Sequence, residues 1–390
     1  MRHLLRSFAQ AVALVVLVLL GAEAGLWVFH QGAFGEPNFY EADEELGIRL
    51  IPNSKMRLSY LGVTPFTDVQ INELGFRGGP HPAPGEDDVV VVGDSLTFGL
   101  GVNIDQTYPV LLQQQMGGNT AVINYGVPAY QAYEMNLSLE RILQHRHPRR
   151  VIYAISVGRF LGRSPAPFLS RINFDNGWLI AGKRGNIKVP LPLPGFMMRH
   201  SHVVNLIRQT MRDPPREEFT RKIVQIRRVE LHKSGMEAKK ERSRLAGSEW
   251  FELMGPDGSP RAWSRLTAQL RDLKKVMAGR ESDLTLLILP QDFVLHAEAW
   301  EKYDVEPADM SLVRLLVEDL AASAAALGFD VLDVSSAIQA AGPTTTLPRD
   351  WHLSPLGHKV IAKELADHFV QMSSGKQDNS VKLPSVGGVF

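Results

Sequence analysis

Four consecutive β-branched apolar residues, Val89–Val92, set the strongest constraint on how this chain folds. A half-exposed strand alternates apolar with polar side chains, whereas this run is apolar throughout. It is introduced by the polar Gly85-Glu86-Asp87-Asp88 and reads as a short strand buried on both faces. Strand-like segments at 120–124, 150–157, 284–289 and 329–334 join the one at 88–92. Helical patterns lie between them and beyond, near 106–116, 130–146, 261–278, 308–327 and 356–371. This alternation predicts an α/β domain of three layers, α/β/α, around a doubly wound, flavodoxin-like parallel sheet of about five strands.

The valine strand runs directly into Gly93-Asp94-Ser95-Leu96-Thr97-Phe98-Gly99. Gly93 lets the backbone turn sharply, and a side chain at the carboxyl end of a central parallel strand faces the crevice where such sheets bind ligands. Ser95 is therefore placed as a nucleophile, and Asp94 reads as a structural residue accepting backbone N–H bonds. A serine hydroxyl needs a base to take its proton, usually a histidine oriented by a carboxylate. Asp350-Trp351-His352-Leu353-Ser354-Pro355-Leu356-Gly357-His358 supplies both, in Asp350 and His352, just ahead of the closing helix. The chain order Ser…Asp…His suits a hydrolase built on such a sheet. His358, at the start of that helix, reads as structural rather than as a second base.

With these segments in view the chain resembles the SGNH/GDSL hydrolase superfamily over about 70–160 and 280–370. GDSLTFGLGV at 93–102 is similar to the nucleophile block, and Asn124-Tyr125-Gly126-Val127-Pro128-Ala129-Tyr130 to the second block. Asp350 and His352 match the last block, and Asn72-Glu73-Leu74-Gly75-Phe76-Arg77-Gly78 resembles a segment found ahead of the nucleophile in bacterial members. The resemblance implies an oxyanion hole made by the backbone N–H groups of Ser95 and Gly126. It also implies a third donor, an asparagine in Gly-Asn-Asp. Here Gly158-Arg159-Phe160 stands at that point, so Arg159 becomes the candidate third donor. One residue, Trp351, separates Asp350 from His352 where many members have two, a spacing similar to that of relatives acting on polysaccharide O-acetyl groups.

Composition sets the wider frame. At 390 residues the chain is long enough for a large core, and its 42 Lys and Arg balance its 42 Asp and Glu, so charge points to no nucleic-acid partner. It has no cysteine, which excludes disulfides and thiol catalysis. The stretch Phe8–Phe29 carries one formal charge, Glu23, and is long enough to span a bilayer; Arg2 and Arg6 ahead of it favour a cytoplasmic N-terminus. Ala22-Glu23-Ala24 also has the small-x-small look of a signal-peptide cleavage site. The continuing run Leu26-Trp27-Val28-Phe29 favours an uncleaved anchor. On either reading the rest is exported, to the periplasm or the cell surface.

The expected organisation is an anchor or signal segment at 1–30, a lead-in at 31–70, a hydrolase-like domain at 71–372 and a polar tail at 373–390. An insertion at about 161–260 interrupts the domain. It contains a hairpin with Asn176-Gly177 as its turn, and residues 216–245, with ten Lys and Arg against five Asp and Glu, read as a basic amphipathic helix. Such an insertion can cap the catalytic edge or lie near anionic lipid or glycan. The pairs His145/His147 and His200/His202 have no third ligand at a recognisable spacing, so neither a metal nor an organic cofactor is expected. Tyr130, Trp351 and Phe160 are candidates to wall the pocket.

The activity implied is an exported serine esterase removing an acyl group, such as acetyl, from a carbohydrate or lipid-like substrate. Two alternatives stand beside it. The same acyl-enzyme can pass its acyl group to a sugar hydroxyl, as in an O-acyltransferase. Loss of the usual asparagine can instead leave a non-catalytic binding or assembly protein.

Overall fold

The computed structural model describes residues 2–30, 33–34, 39–59, 64–117, 120–156, 172–175, 178–181, 201–204, 261–296, 298–299, 301, 311–348 and 350–374. Its centre is a five-stranded, wholly parallel sheet built from Val89–Gly93 (β1), Val122–Gly126 (β2), Arg150–Ile155 (β3), Asp283–Ile288 (β4) and Asp330–Asp333 (β5). Their order across the sheet is β5-β4-β3-β1-β2, the flavodoxin-like arrangement, in which the topology reverses between β1 and β3.

Both faces of the sheet are covered, and the valine run shows how. Val90 and Val92 enter one core with Leu139 and Leu143 of Ala132–His145, Leu270 and Leu273 of Arg261–Met277, and Leu320 of Ser311–Ala326. Val89 and Val91 enter a second core with Leu112 of Tyr108–Met116, Ile338 of Ser335–Ala341, and Ile361 and Leu365 of Pro355–Ser373. Successive side chains on a strand point to opposite faces, so a strand between two helical layers must be apolar at every position.

The five strands and five long helices lie within a few residues of the segments expected from the sequence. Three short helices, Ser95–Phe98, Asp292–Leu295 and Ser335–Ala341, were not anticipated, because one or two turns show too little periodicity. The lead-in is richer than its mixed composition suggests. Tyr40–Asp43 pairs with Gly47–Leu50 and Lys55–Ser59 with Thr67–Gln70, both antiparallel. These segments send Ile48, Leu50, Leu58 and Val69 into the first core, joined by Phe39 just ahead of them.

At the N-terminus Arg2–His30 is one helix, and its segment Arg6–Val28 is long and apolar enough to cross a membrane. Glu23 accepts hydrogen bonds from Ser201 Oγ (2.8 Å) and Val203 N–H (3.0 Å) of the insertion. Within that insertion Ile172–Asp175 and Trp178–Ala181 pair as an antiparallel hairpin. Its Asn176-Gly177 turn, the basic segment 216–245, His200 and the tail from 375 lie outside the described residues.

Candidate active site

The nucleophile arm is built from the end of β1 outward. Gly93 has no room for a side chain: a Cβ there would lie 1.9 Å from Thr97 Oγ1 and 3.1 Å from the Ala154 carbonyl. Asp94 then caps the one-turn helix Ser95–Phe98 (α1), its Oδ1 accepting from Leu96 N–H at 2.9 Å, the structural role expected of it. Ser95 is the first helical residue, so its own N–H has no intrahelical acceptor. Gly99 ends the turn at φ 83°, a left-handed conformation suited to glycine, and donates to Ser95 O at 3.0 Å.

Gly126, at the end of β2, makes a second close approach. A Cβ on it would meet Phe98 N at 2.5 Å and Thr97 C at 2.8 Å. Asn124 locks the same contact: its Nδ2 donates to Thr97 O (2.8 Å) and its Oδ1 accepts from Gly126 N–H (2.8 Å). The Gly126 N–H, expected to face the oxyanion, is therefore engaged by Asn124 in this structure. Three residues on, Ala129 takes φ 75°, a strained conformation for a residue with a Cβ.

The second arm runs from Thr345 to His358. Leu347 N–H donates to His352 O (2.8 Å), Ser354 N–H donates to Thr345 O (2.9 Å), and Thr346 bridges Leu353. This brings Asp350 and His352 to Ser95, 257 positions earlier in the chain. His352 Nδ1 lies 2.7 Å from Asp350 Oδ2, and its Nε2 lies 2.9 Å from Ser95 Oγ. An ionised carboxylate only accepts, so the Nδ1 proton faces Asp350 and Nε2 is left to accept from the Ser95 hydroxyl. Asp350 Oδ1 accepts from Trp351 N–H (2.7 Å), and the Trp351 ring stacks on His352 at 4.4 Å. Ser95, His352 and Asp350 are 3%, 2% and 6% exposed, so the chain of bonds is shielded from water.

His358, in the first turn of the closing helix Pro355–Ser373, has another chemistry. Its Nδ1 accepts from Tyr108 N–H (3.2 Å), its ring stacks on Tyr108, and its buried Nε2 has no partner. Burial, reinforced by the charge of Arg77, pushes its pKa down to about 3, so it is a neutral packing residue. The Tyr130 hydroxyl is buried and donates to Ile48 O at 2.8 Å, and Tyr130 lines a cavity with Phe76 and Tyr125 that none of Ser95, His352 and Asp350 lines. Arg159 and Phe160 lie outside the described residues.

The arrangement can deprotonate a serine and hold the resulting imidazolium beside a carboxylate. Asn124 and Arg77 are the neighbours whose roles the sequence left unassigned. Asn124 stood inside a recognised block, but its two hydrogen bonds, to Thr97 O and from Gly126 N–H, depend on strand register, Gly93 lying opposite Gly126.

Residues 253–383, which hold Asp350 and His352 but not Ser95, match the family model described as the SGNH hydrolase-like domain of acetyltransferase AlgX. Similar solved structures include a carbohydrate acetylesterase family member from Sinorhizobium meliloti (12% identity, 74% of this chain and 99% of that one, TM-score 0.36). The aryl esterase of M. smegmatis (13%, 73% and 99%, TM-score 0.37) and a putative arylesterase from Agrobacterium tumefaciens (14%, 73% and 99%, TM-score 0.38) are others. No curated protein is significantly similar in sequence.

Proposed function

We propose that this chain is an exported, membrane-anchored serine enzyme of the SGNH hydrolase superfamily that cleaves an acyl ester, acetyl in the simplest case, on a carbohydrate. The observation that carries the reading is the continuous bond chain from Ser95 Oγ through His352 to Asp350. Ser95 Oγ attacks the ester carbonyl while His352 Nε2 takes its proton. The tetrahedral adduct collapses, the alcohol leaves with that proton, and the acyl group remains on Ser95. Asp350 holds the imidazole tautomer and offsets the charge of the imidazolium. The Ser95 N–H is the first oxyanion donor. Gly126 N–H joins it once its bond to Asn124 is exchanged, and Arg159 is the third.

Water then releases the acyl group as an acid, or a sugar hydroxyl accepts it as a new ester. The match to an acetyltransferase family model supports the second outcome, so transfer is retained beside hydrolysis. A carbohydrate substrate is favoured by the single residue, Trp351, between Asp350 and His352, a spacing similar to that of relatives acting on polysaccharide O-acetyl groups. Arg2 and Arg6 ahead of the apolar helix support an outward-facing domain.

The test is fluorophosphonate labelling of the full chain in detergent, with acetate release from an acetylated glycan measured with and without an acceptor sugar. Labelling and turnover are expected in the wild type and absent from Ser95→Ala. An unlabelled wild type, or turnover that survives in Ser95→Ala, overturns the serine-enzyme reading.

A further inference from the structure

The segment Asn72–Gly78 is a small loop tied to itself. Asn72 Oδ1 accepts from the N–H groups of Leu74 and Phe76, both at 3.0 Å, and Asn72 N–H donates to Phe76 O at 2.8 Å. Gly75 takes φ 86°, where a Cβ would press the Leu50 carbonyl at 3.0 Å. Ile71 bridges Arg77, and Gly78 N–H donates to Gln70 O. Every one of these contacts fixes the backbone from which Arg77 projects.

Arg77 crosses from that loop into the nucleophile arm. Its Nη1 donates to Phe98 O (2.9 Å) and Gly99 O (2.5 Å), and its Nη2 donates to Val102 O (2.8 Å). The guanidinium lies 5.0 Å from the centre of the Phe98 ring. The side chain is buried and its Nε has no partner. Burial pushes its pKa down to about 10, which leaves it charged at neutral pH. No carboxylate among the described residues forms an ion pair with it. Burying a cation with no carboxylate in contact is costly, and here three backbone carbonyls, the Phe98 ring and the charge of Asp105 offset it.

The Phe98 and Gly99 carbonyls close the one-turn helix whose first residue is Ser95. A single turn does not hold its shape by itself, because nucleating a helix is unfavourable. Asp94 fixes the N-terminal end of α1, and Arg77 supplies the matching cation at its C-terminal end, where the helix dipole favours positive charge.

We infer that Arg77 is a positioning residue for the reaction at Ser95, clamping α1 and the following Gly99–Val102 loop so that Ser95 Oγ stays in reach of His352 Nε2. This rests on Ser95 being the nucleophile. The clamp needs a planar fork of donors, which a lysine ammonium does not reproduce.

The experiment compares wild type, Ser95→Ala, Arg77→Lys and Arg77→Ala as full chains in detergent. Each is measured for kcat and KM on a chromogenic acetate ester, for fluorophosphonate labelling rate and for thermal unfolding. The downfield proton resonance of the His352–Asp350 bond gives a readout that needs no turnover. Arg77→Lys is expected to lose roughly 10-fold and Arg77→Ala about 10²-fold in kcat, the scale of a misplacement near 1 Å, with KM within about twofold. The labelling rate should fall in step and the His352 resonance should shift. A folded Arg77→Lys and Arg77→Ala pair with wild-type kcat and an unshifted resonance overturns the inference while leaving the nucleophile reading intact. Loss of folding in both variants also overturns it, since Arg77 then serves stability at large. Turnover surviving in Ser95→Ala instead sinks the reading beneath it, and the His352 resonance alone then decides whether Arg77 sets the geometry of this edge.

Discussion

From Gly93 to Val102 the nucleophile arm is fitted by atoms that are missing: Gly93 and Gly126 admit no Cβ against Thr97 and Phe98, and the charged Arg77 sits on the outgoing carbonyls. From Thr345 to His358 the other arm is fitted mainly by polar bonds. Backbone pairs join Thr345–Leu347 to His352–Ser354, Ser354 Oγ donates to Thr344 O (2.6 Å), and Asp350 grips His352. That arm contains one comparable tight spot, Gly357, where a Cβ would lie 2.2 Å from Thr345 O. The difference teaches where each arm is vulnerable. The first fails sterically and without regard to pH. The second fails electrostatically, and it carries a buried histidine that responds to acid.

The largest effect belongs to the polar arm. Asp350→Asn keeps the shape of the carboxylate but stabilises the wrong histidine tautomer, so kcat should fall about 10³–10⁴-fold while thermal stability changes little. Steady-state kinetics beside calorimetry checks this. A loss under tenfold would show that Asp350 is not the partner that matters.

Gly126→Ala probes the steric arm. The added methyl must push back Phe98 N and Thr97, which moves the turn carrying Ser95, and kcat should drop about 10²-fold. The deficit should be the same fraction at every pH where the protein is folded. A pH-dependent deficit would break the contrast between the arms.

The smallest effect is on stability. Folded His358 has a pKa near 3, against 6.5 as its ordinary value. Between those values the unfolded chain binds a proton that the folded chain refuses. Stability is therefore full above about pH 6.5 and is lost as pH falls toward 3. Urea midpoints measured from pH 7.5 to 4 should fall in the wild type. They should fall less steeply in His358→Gln, which keeps an acceptor for Tyr108 N–H but cannot take the proton. Equal slopes would clear His358 of the acid sensitivity. Gly126→Ala should leave the slope as it is.

Much of this fold was legible because its signals repeat along the chain. The uninterrupted valine run, the strand–helix alternation and the apolar helix ahead of them each span several residues of one character. The physics of burial imposes that character locally. Ser95, Asp350 and His352 were legible for a related reason: each belongs to a short segment whose residue types suit one chemistry. The lead-in was not, since Ile48, Leu58 and Val69 reach the core from short strands in a mixed sequence.

By itself, then, the sequence determined which segments become the buried strands, the order in which serine, aspartate and histidine occur, and the apolar helix at the start. Only the tertiary structure decided that Asn124 occupies the Gly126 N–H, that His358 accepts from Tyr108 N–H, and that Arg77 grips Phe98, Gly99 and Val102. Backbone carbonyls and amides are the same at every residue. A side chain that binds them leaves no complementary residue type in the chain, and its target is set by where packing brings two distant segments together.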